Sequence, residues 1–183
     1  MRTFIAVEID ASIKEKLARI RELGLVKGGS VRWVPADRMH LTLKFLGEID
    51  PSSVPLVTRA MQDASRAVEP FDLEFRNLGF FPNRTRPRVF WAGIHDARKS
   101  LEILFRSLEM GLLDLGFERE ARPFRPHLTL ARFRDRVKGM IDLKERENEV
   151  FGSQIVKEIV LIKSELRPQG PLYTPLSTVT LKE

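Results

Sequence analysis

Two kinds of hydrophobic pattern alternate along the chain, and together they predict a mixed protein of strands and helices. Apolar residues that run together or alternate with polar ones are typical of strands. Such stretches lie at residues 3–9, 31–34, 39–46, 71–75, 89–94, 127–133, 156–166 and 172–181. Apolar residues at helical spacing predict helices between them, from Ile13 to Leu23, from Val54 to Val68 and from Leu101 to Leu115.

Residues with strong positional preferences indicate where some of these elements begin. Ser12 and Glu15 have the spacing of a capping box at the start of the first helix. Asp50 followed by Pro51 is typical of the start of the second helix, where proline costs no hydrogen bond. The polar stretch 134–149 lacks a clear period and is predicted to hold a short helix at most.

The chain contains an internal repeat in which each half has the order strand, helix, strand. The first half opens with Phe4-Ile5-Ala6 and the second with Phe90-Trp91-Ala92, and each reaches the tetrapeptide His-Leu-Thr-Leu. The interval is 36 residues from Phe4 to His40 and 37 residues from Phe90 to His127. By composition, a given histidine precedes Leu-Thr-Leu on the order of once in a thousand cases. Two matches among three histidines therefore indicate a duplication.

We interpret the chain as one domain, 1–183, with two pseudo-symmetric lobes whose repeats lie near 2–47 and 88–134. A duplication that carried no chemistry would preserve the apolar positions, whereas here a polar histidine and a polar threonine are identical as well. The polar residues of the repeat are therefore candidates for function.

Strand geometry predicts how these polar residues are arranged. Alternate side chains of a strand share a face, so His40, Thr42 and Lys44 are expected to point together, and so are His127 and Thr129. A pseudo-twofold arrangement of the lobes would bring both faces to one cleft. The threonines also fit ordinary strand preference, but the pairing with histidine favours a functional role.

Two imidazoles facing each other suit the hydrolysis of a phosphodiester by in-line displacement. Because the ordinary pKa of histidine is near neutrality, one ring can accept a proton from water while the other donates a proton to the leaving oxygen. The hydroxyls of Thr42 and Thr129 can donate to the non-bridging oxygens, where negative charge develops. A strained cyclic phosphate carries its own leaving group, so this chemistry does not require a metal ion.

Composition narrows the picture further. The net charge is +6, and 21 of the 31 basic residues are arginine, which favours a polyanion such as nucleic acid as partner. Cysteine is absent, which excludes disulfides and thiol catalysis, and the three scattered histidines have no metal-ligand spacing. No apolar run approaches the roughly 18 residues that a membrane span needs. These features favour a cytoplasmic location, with no metal and no cofactor.

With these motifs in place, the chain resembles the 2H phosphoesterase superfamily, and within it the RNA 2′,3′-cyclic phosphodiesterases once described as 2′-5′ RNA ligases. The resemblance runs nearly from end to end. It is carried by Arg2-Thr3-Phe4-Ile5-Ala6, by Trp33 ahead of His40-Leu41-Thr42-Leu43-Lys44-Phe45-Leu46-Gly47, by Arg86-Pro87-Arg88-Val89-Phe90-Trp91, by Pro126-His127-Leu128-Thr129-Leu130-Ala131-Arg132 and by Ser164-Glu165-Leu166.

The resemblance implies a bilobal α+β fold in which antiparallel sheets line a central cleft and helices lie outside. It implies that RNA terminal 2′,3′-cyclic phosphates, including those of tRNA fragments, are opened to 2′-phosphomonoesters. His40 would donate the proton to the leaving O3′, and His127 would accept a proton from water. A reversible, ATP-independent 2′-5′ ligation is also implied, and no obligatory protein partner is. Arg132 would bind phosphate.

Several residues remain open on the sequence alone. Strict alternation places Arg132 opposite His127, so it reaches the cleft only if the strand bulges or twists. Lys44 shares the predicted face of His40 and is a candidate phosphate ligand. Three arginines of one predicted loop could contact an RNA backbone, but a solvated loop is the commoner case: Arg84, Arg86 and Arg88. Three aromatic residues could stack on bases, but core packing is the commoner case: Trp33, Phe45 and Tyr173. His95 is expected to be an ordinary surface residue.

Two other functions are compatible with the motifs. One is an RNA-binding module that holds RNA ends without turnover, although a pure binder would not need both histidines. The other is a related enzyme for a small cyclic nucleotide or sugar phosphate, against which the basic composition argues mildly. Turnover of a cyclic-phosphate oligonucleotide, compared with that of a mononucleotide, separates the RNA enzyme from the small-molecule enzyme.

Overall fold

The computed structural model describes residues 1–24, 31–134, 143, 146 and 148–182. Its helices are α1 (Ala11–Ala18), α2 (Val54–Ser65) and α3 (Ser100–Leu113). Its strands are β1 (Arg2–Glu8), β2 (Val31–Trp33), β3 (His40–Glu48), β4 (Phe71–Phe81), β5 (Val89–His95), β6 (His127–Phe133), β7 (Val150–Val156), β8 (Glu158–Glu165) and β9 (Leu172–Thr180). Short 3₁₀ turns at 19–23, 36–38 and 51–53 complete the regular structure.

The strands form two antiparallel sheets with corresponding strand orders. The first sheet has the order β3-β1-β8-β9, and the second has the order β2-β6-β5-β4-β7. In each sheet the strand that carries His-Leu-Thr-Leu pairs with the strand that opens its repeat, β3 with β1 and β6 with β5. This is the α+β arrangement of antiparallel sheets that the family resemblance implies.

Both sheets rest on one contiguous set of buried apolar side chains. The leucines of the two tetrapeptides, at 41, 43, 128 and 130, belong to it together with residues of all three helices. The helices also cross between the halves: α1 follows β1 of the first sheet but contacts β7 of the second, and α3 follows β5 of the second sheet but contacts β3 of the first. These contacts interlock the two halves behind the cleft.

A buried glutamine adds a polar link between the sheets. The Gln154 amide on β7 donates to the carbonyl of Glu8 at 2.9 Å and accepts from the backbone N–H of Asp10, also at 2.9 Å. Glu8 is the residue opposite His40 in the pairing of β1 with β3. The link therefore fixes the end of β1 that lies beside the first motif histidine.

Three local predictions are corrected or limited by the structure. The capping box is wrong, because α1 begins at Ala11 and its first N–H groups bond to the Asp10 carbonyl instead. The prediction for 134–149 falls mostly outside the described residues. Strand β7 was not predicted, because buried Gln154 and Gly152 interrupt its apolar alternation. By contrast, the Asp50 carboxylate accepts from the Ser52 N–H at 2.8 Å, which confirms the predicted start of the second helical segment.

Candidate active site

Both motif strands contain a bulge at the same place, immediately after the threonine. On β3, Thr42 lies opposite Ala6 and Lys44 lies opposite Ile5, so Leu43 is the extra residue. A bulge of this kind turns the side chains that follow it onto the other face of the strand. Phe45 is therefore on the side of His40 and Thr42 and is 59% exposed.

Lys44 does not share the face of His40, and that predicted placement is wrong. The bulge at Leu43 turns the Lys44 side chain inward, where it is 7% exposed. Its ammonium group forms an ion pair with Glu109 of α3 and donates to the Glu118 carbonyl at 2.6 Å. The Glu109 carboxylate in turn accepts from the backbone N–H of Glu120 at 2.8 Å. Lys44 is thus a buried structural residue, away from the cleft.

The matching bulge on β6 brings Arg132 into the cleft. Thr129 lies opposite Trp91 and Ala131 lies opposite Phe90, so Leu130 is the extra residue. Ala131 is buried where Lys44 is buried in the first copy, and Arg132 is exposed where Phe45 is exposed. The bulge that Arg132 needed in order to reach the substrate is therefore present.

The two motif strands line one cleft of about 430 Å³. Every predicted catalytic residue lines it, together with aromatic, cationic, aliphatic and small polar neighbours. The lining residues are Arg2, Phe4, Val34, Arg38, His40, Thr42, Phe45, His127, Thr129, Arg132, Ser164, Leu166, Pro171 and Tyr173. Three guanidinium groups line the cleft, and no carboxylate does among its described lining residues. The site is therefore suited to an anion.

Backbone carbonyls fix both imidazole rings in the same way. His40 Nδ1 lies 2.9 Å from the carbonyl oxygen of Arg38, and His127 Nδ1 lies 2.7 Å from that of Arg125. A carbonyl can only accept, so each Nδ1 carries a proton and donates it. The Nε2 atom of each ring is then the nitrogen available for proton transfer in the cleft.

Aromatic side chains hold the rings from the side. The His40 ring packs against Phe4 and Tyr173, with centroids 4.6 and 5.1 Å away, and the His127 ring meets the ring of Phe81 edge-on at 4.9 Å. Fixed rings with one free nitrogen each are the geometry that positioned acid–base catalysis requires.

Burial lowers the pKa of both histidines below the ordinary value of 6.5. For each ring the carbonyl bond to Nδ1 acts in the opposite direction, and the positive charge of Arg132 lowers the pKa further. The two rings differ in one respect: the carboxylate of Glu8 raises the pKa of His40, partly offset by Lys14, and His127 has no such neighbour among the causes of its shift.

The aromatic candidates divide between core and cleft. Trp33 is half-buried and packs edge-on against Phe90, as core packing predicts. Phe45 lines the cleft instead, so the expectation of core packing is wrong for this residue. Tyr173 packs against the smaller buried cluster, as expected, and also lines the cleft. Burial raises the pKa of Tyr173, against the effect of nearby arginines, so its hydroxyl is a neutral donor at neutral pH.

The remaining sequence candidates lie at the surface. His95 is exposed at the end of β5, as expected, and its Nδ1 lies 3.1 Å from a terminal nitrogen of Arg76. The three arginines of the loop that follows β4 are also exposed, and Arg88 donates to the Arg134 carbonyl at 3.0 Å. None of these four residues lines the 430 Å³ cleft.

Arg38 is the cleft residue that the sequence reasoning missed. Its guanidinium donates to the Gln169 carbonyl at 3.1 Å and lies against Gly170, where a Cβ atom would come within 2.0 Å of Nη1. A signal was present, because the repeat extends two residues upstream: Arg38 precedes His40 as Arg125 precedes His127. Both arginines supply the carbonyl that holds the histidine.

Two kinds of feature are absent from the described residues. No group of three or more His, Asp or Glu side chains there is close enough together to hold a metal ion. No helix within the same residues has the length and apolar character of a membrane span.

Comparison with known proteins places this cleft in a family. The family model described as "LigT like Phosphoesterase" matches residues 7–91 and again residues 94–173, so each match contains one His-Leu-Thr-Leu motif. An RNA 2′,3′-cyclic phosphodiesterase of Methanothermobacter thermautotrophicus is 33% identical, with 99% of each chain covered. One of Methanocaldococcus jannaschii is 35% identical, with 94% of this chain and 96% of the other covered.

A solved structure supports the same assignment. Escherichia coli LigT, crystallised with 3′-AMP, superposes with a TM-score of 0.82 at 27% identity, covering 100% of this chain and 98% of LigT. The fold and the paired histidine strands define a phosphoesterase of the two-histidine class. The chain belongs to the LigT-like phosphoesterase family.

Proposed function

We propose that this protein hydrolyses the terminal 2′,3′-cyclic phosphate of RNA to a 2′-phosphomonoester, with His40 and His127 as acid and base and without a metal ion. One observation carries the proposal: two imidazoles from equivalent strands enter one cationic cleft, each with Nδ1 held by a backbone carbonyl and Nε2 available. The relatives named as RNA 2′,3′-cyclic phosphodiesterases support RNA as the substrate.

In the proposed reaction, His127 Nε2 accepts a proton from the attacking water as the new O–P bond forms. The bond from phosphorus to O3′ breaks on the opposite side, and His40 Nε2 gives O3′ its proton. Phosphorus remains bonded to O2′. The hydroxyls of Thr42 and Thr129 and the guanidinium of Arg132 line the space where the non-bridging oxygens gain charge, and stabilise that charge.

Glu8 supports the assignment of His40 as the acid. An acid must carry its proton before the reaction, and the nearby carboxylate favours the charged form of His40. His127 has no such carboxylate among the causes of its shift. Burial and Arg132 lower the pKa of both rings, so the Glu8 carboxylate, partly offset by Lys14, is the difference that favours His40 as the acid.

The in-line geometry also determines where the RNA chain lies. The ribose is attached to the leaving oxygen, so it lies on the His40 side of phosphorus, where Tyr173 and Phe45 present aromatic surface. A neighbouring pocket of about 260 Å³ shares Arg38, Pro171 and Tyr173 with the cleft and adds Arg167. We place the phosphates that precede the terminal nucleotide there.

A 5′-hydroxyl that replaces water as the nucleophile would give a 2′-5′ phosphodiester. The cyclic phosphate is already activated by strain, so this ligation needs no ATP, and the same groups would catalyse its reversal. We propose cytoplasmic RNA ends, such as those of cleaved tRNA, as the physiological setting. The chain's lack of cysteine agrees with that location.

The direct test is turnover of an oligonucleotide that ends in a 2′,3′-cyclic phosphate, measured with excess EDTA and without it. We expect hydrolysis in both conditions, with a higher kcat/KM than for a cyclic mononucleotide. Tight binding without turnover would establish an RNA-end-binding module instead. Faster turnover of the mononucleotide would favour a small-molecule phosphodiesterase, and activity that EDTA abolishes and a divalent ion restores would contradict the metal-free mechanism.

A further inference from the structure

A second pocket lies on the same sheet face as His127, outside the catalytic cleft. Its volume is about 270 Å³, and it is lined by Arg76, Asn77, Trp91, Gly93, Ile94, His95 and Pro126. Gly93 on β5 lies opposite both His127 on β6 and Arg76 on β4. Neighbouring strands are about 4.8 Å apart, so the backbone of Arg76 is roughly 10 Å from that of His127. The pocket is therefore within reach of a ligand group held at His127.

Aromatic surface connects this pocket to the catalytic ring. Phe81 meets His127 edge-on at 4.9 Å and packs against Trp91 at 5.1 Å, and Trp91 lies opposite Thr129. The indole lies on Gly79 of the neighbouring strand, where a Cβ atom would come within 2.2 Å of Cζ2. Gly79 thus lets Trp91 lie flat along the sheet, and the half-buried indole forms one wall of the pocket.

The other walls provide hydrogen-bond donors. Arg76 places one terminal nitrogen 3.3 Å from a Glu74 carboxylate oxygen and the other 3.1 Å from His95 Nδ1. Because Arg76 can only donate, His95 Nδ1 accepts, and the proton of the neutral ring is on Nε2. An aromatic wall with a guanidinium, an imidazole N–H and the Asn77 amide matches the mixed stacking and hydrogen bonding that recognise a nucleotide base.

The side of the pocket indicates which nucleotide it would hold. Under the proposed function, the substrate's own ribose and preceding nucleotides lie on the His40 side of phosphorus, and the nucleophile arrives from the His127 side. Water needs no further contacts. A 5′-hydroxyl that attacks in place of water brings its ribose and base with it, past Phe81 and towards Trp91.

We propose that this pocket is an acceptor subsite, which binds the nucleoside whose 5′-hydroxyl attacks the cyclic phosphate during ligation. The inference rests on the proposed function. In the step it serves, O5′ loses its proton to His127 and forms a bond to phosphorus. The bond to O3′ breaks, and O3′ takes a proton from His40. The product is a 2′-5′ phosphodiester, and nothing is oxidised or reduced.

The test compares three nucleophiles on the same cyclic-phosphate oligonucleotide: water, methanol and an oligonucleotide with a 5′-hydroxyl. Methanol reaches phosphorus without using the pocket, so it controls for the chemistry. In Arg76→Ala and His95→Ala, we expect the rate of ligation to fall about tenfold, as for the loss of a hydrogen bond from a charged group. Hydrolysis and methanolysis should remain within about twofold of wild type.

Two further variants serve as matched controls. Arg59 is 72% exposed on α2 and lines none of the pockets described above, and Arg59→Ala should change none of the three reactions. Arg167 lines the pocket on the His40 side, so Arg167→Ala should weaken the use of the cyclic-phosphate oligonucleotide equally with every nucleophile.

The outcomes separate this inference from the proposed function. If wild type hydrolyses the substrate but transfers it to the 5′-hydroxyl oligonucleotide no better than to methanol, the acceptor subsite is overturned. The same holds if Arg76→Ala and His95→Ala ligate normally, or if they slow all three reactions equally. If wild type shows no hydrolysis at all, the proposed function fails first, and the acceptor assignment fails with it.

Discussion

The two His-Leu-Thr-Leu strands share a bulge directly after the threonine, but the side chains that follow the bulge differ. β3 and β6 place a histidine and a threonine in the cleft, and each histidine bonds to the carbonyl two residues before it. Beyond the bulge, β3 buries Lys44 and exposes Phe45, whereas β6 buries Ala131 and exposes Arg132. The half of the repeat that both copies share supplies the two histidines that we propose as proton-transfer groups, and the half that differs makes the two sides of the cleft unlike.

The divergence is also structural. In the first copy, Lys44 and Glu109 join β3 to α3, and their bonds to the backbone of Glu118 and Glu120 fix the segment that leads towards β6. In the second copy, the equivalent Ala131 is a fully buried residue of the apolar core and has no charged side chain to form such a link. One copy therefore has a buried polar anchor that helps to position the other.

The largest expected effect is the loss of kcat when either of the histidines that the two strands share is replaced. His40→Ala and His127→Ala should each lower kcat by about 10²–10⁴-fold, the range for one proton-transfer group. The double variant should be little worse than either single one, because groups that act together are not additive. Single-turnover kinetics with circular dichroism as the folding control measures this. Near-normal turnover by either single variant would refute the two-histidine mechanism.

The second effect concerns the residue after the bulge that is buried in both copies. Lys44→Met leaves the Glu109 carboxylate buried without its partner and should lower the free energy of unfolding by about 3–5 kcal/mol. The turnover of the folded fraction at low temperature should be unchanged, because Lys44 does not line the cleft. Urea denaturation measures the loss, and adding Glu109→Leu should recover much of it. A raised KM without lost stability would mean that Lys44 contacts the substrate.

The third effect separates the two exposed residues after the bulge. Arg132→Ala should lower kcat/KM about 10–100-fold for every cyclic phosphate, because it removes a charged donor to the phosphate. Phe45→Ala should matter only when a base is present, through the loss of stacking. Kinetics with a normal substrate and with one that lacks its terminal base tests both. Equal losses for the two variants on the abasic substrate would show that the copies are not specialised in this way.

The smallest expected effect tests the contribution of Glu8 to the pKa of His40, which has no counterpart at His127. The profile of kcat/KM against pH should be bell-shaped, with both limbs below the ordinary histidine value because burial lowers both pKa values. Removing the negative charge in Glu8→Gln should lower the pKa of His40 further. If His40 is the acid, only the basic limb moves, and it moves to lower pH; the shift is small, since Glu8 is half exposed and partly screened.

Glu15→Gln removes an equal charge from an exposed site on α1 and should leave the profile unchanged. NMR titration of the imidazole protons reports the two rings separately. A shift of the acidic limb in Glu8→Gln would mean that His40 is the base and would reverse the assignment.

The sequence predicts the parts of the structure that the repeat contains, but it does not predict where the backbone departs from regular alternation. The strands of both motifs and the shared cleft with His40, Thr42, His127 and Thr129 follow from period and duplication, and the antiparallel α+β fold follows from the family resemblance. The bulge after each threonine does not, because nothing in Leu43-Lys44 or Leu130-Ala131 signals an extra residue. That one feature explains why Lys44 was misplaced and why strict alternation argued against Arg132.

Residues supplied by distant parts of the chain were equally hidden from local patterns. Tyr173 of β9 packs against His40. Arg38 donates to the Gln169 carbonyl and occupies space that a side chain at Gly170 would fill. These contacts depend on how the two sheets meet, and no period within a single segment reports that. For in-line transfer we expect the two imidazole nitrogens to lie roughly 6–8 Å apart.

The central claim is that two similar histidines act in a fixed direction, with His40 at the leaving O3′ and His127 at the nucleophile. The most direct measurement is the position of the phosphate in the product of a cyclic-phosphate oligonucleotide, read by phosphorus NMR or by digestion to the terminal nucleotide. We expect a 2′-phosphomonoester as the sole product. A 3′-phosphomonoester would mean that the substrate lies reversed between the rings, and it would contradict the assignment of His40 as acid and His127 as base.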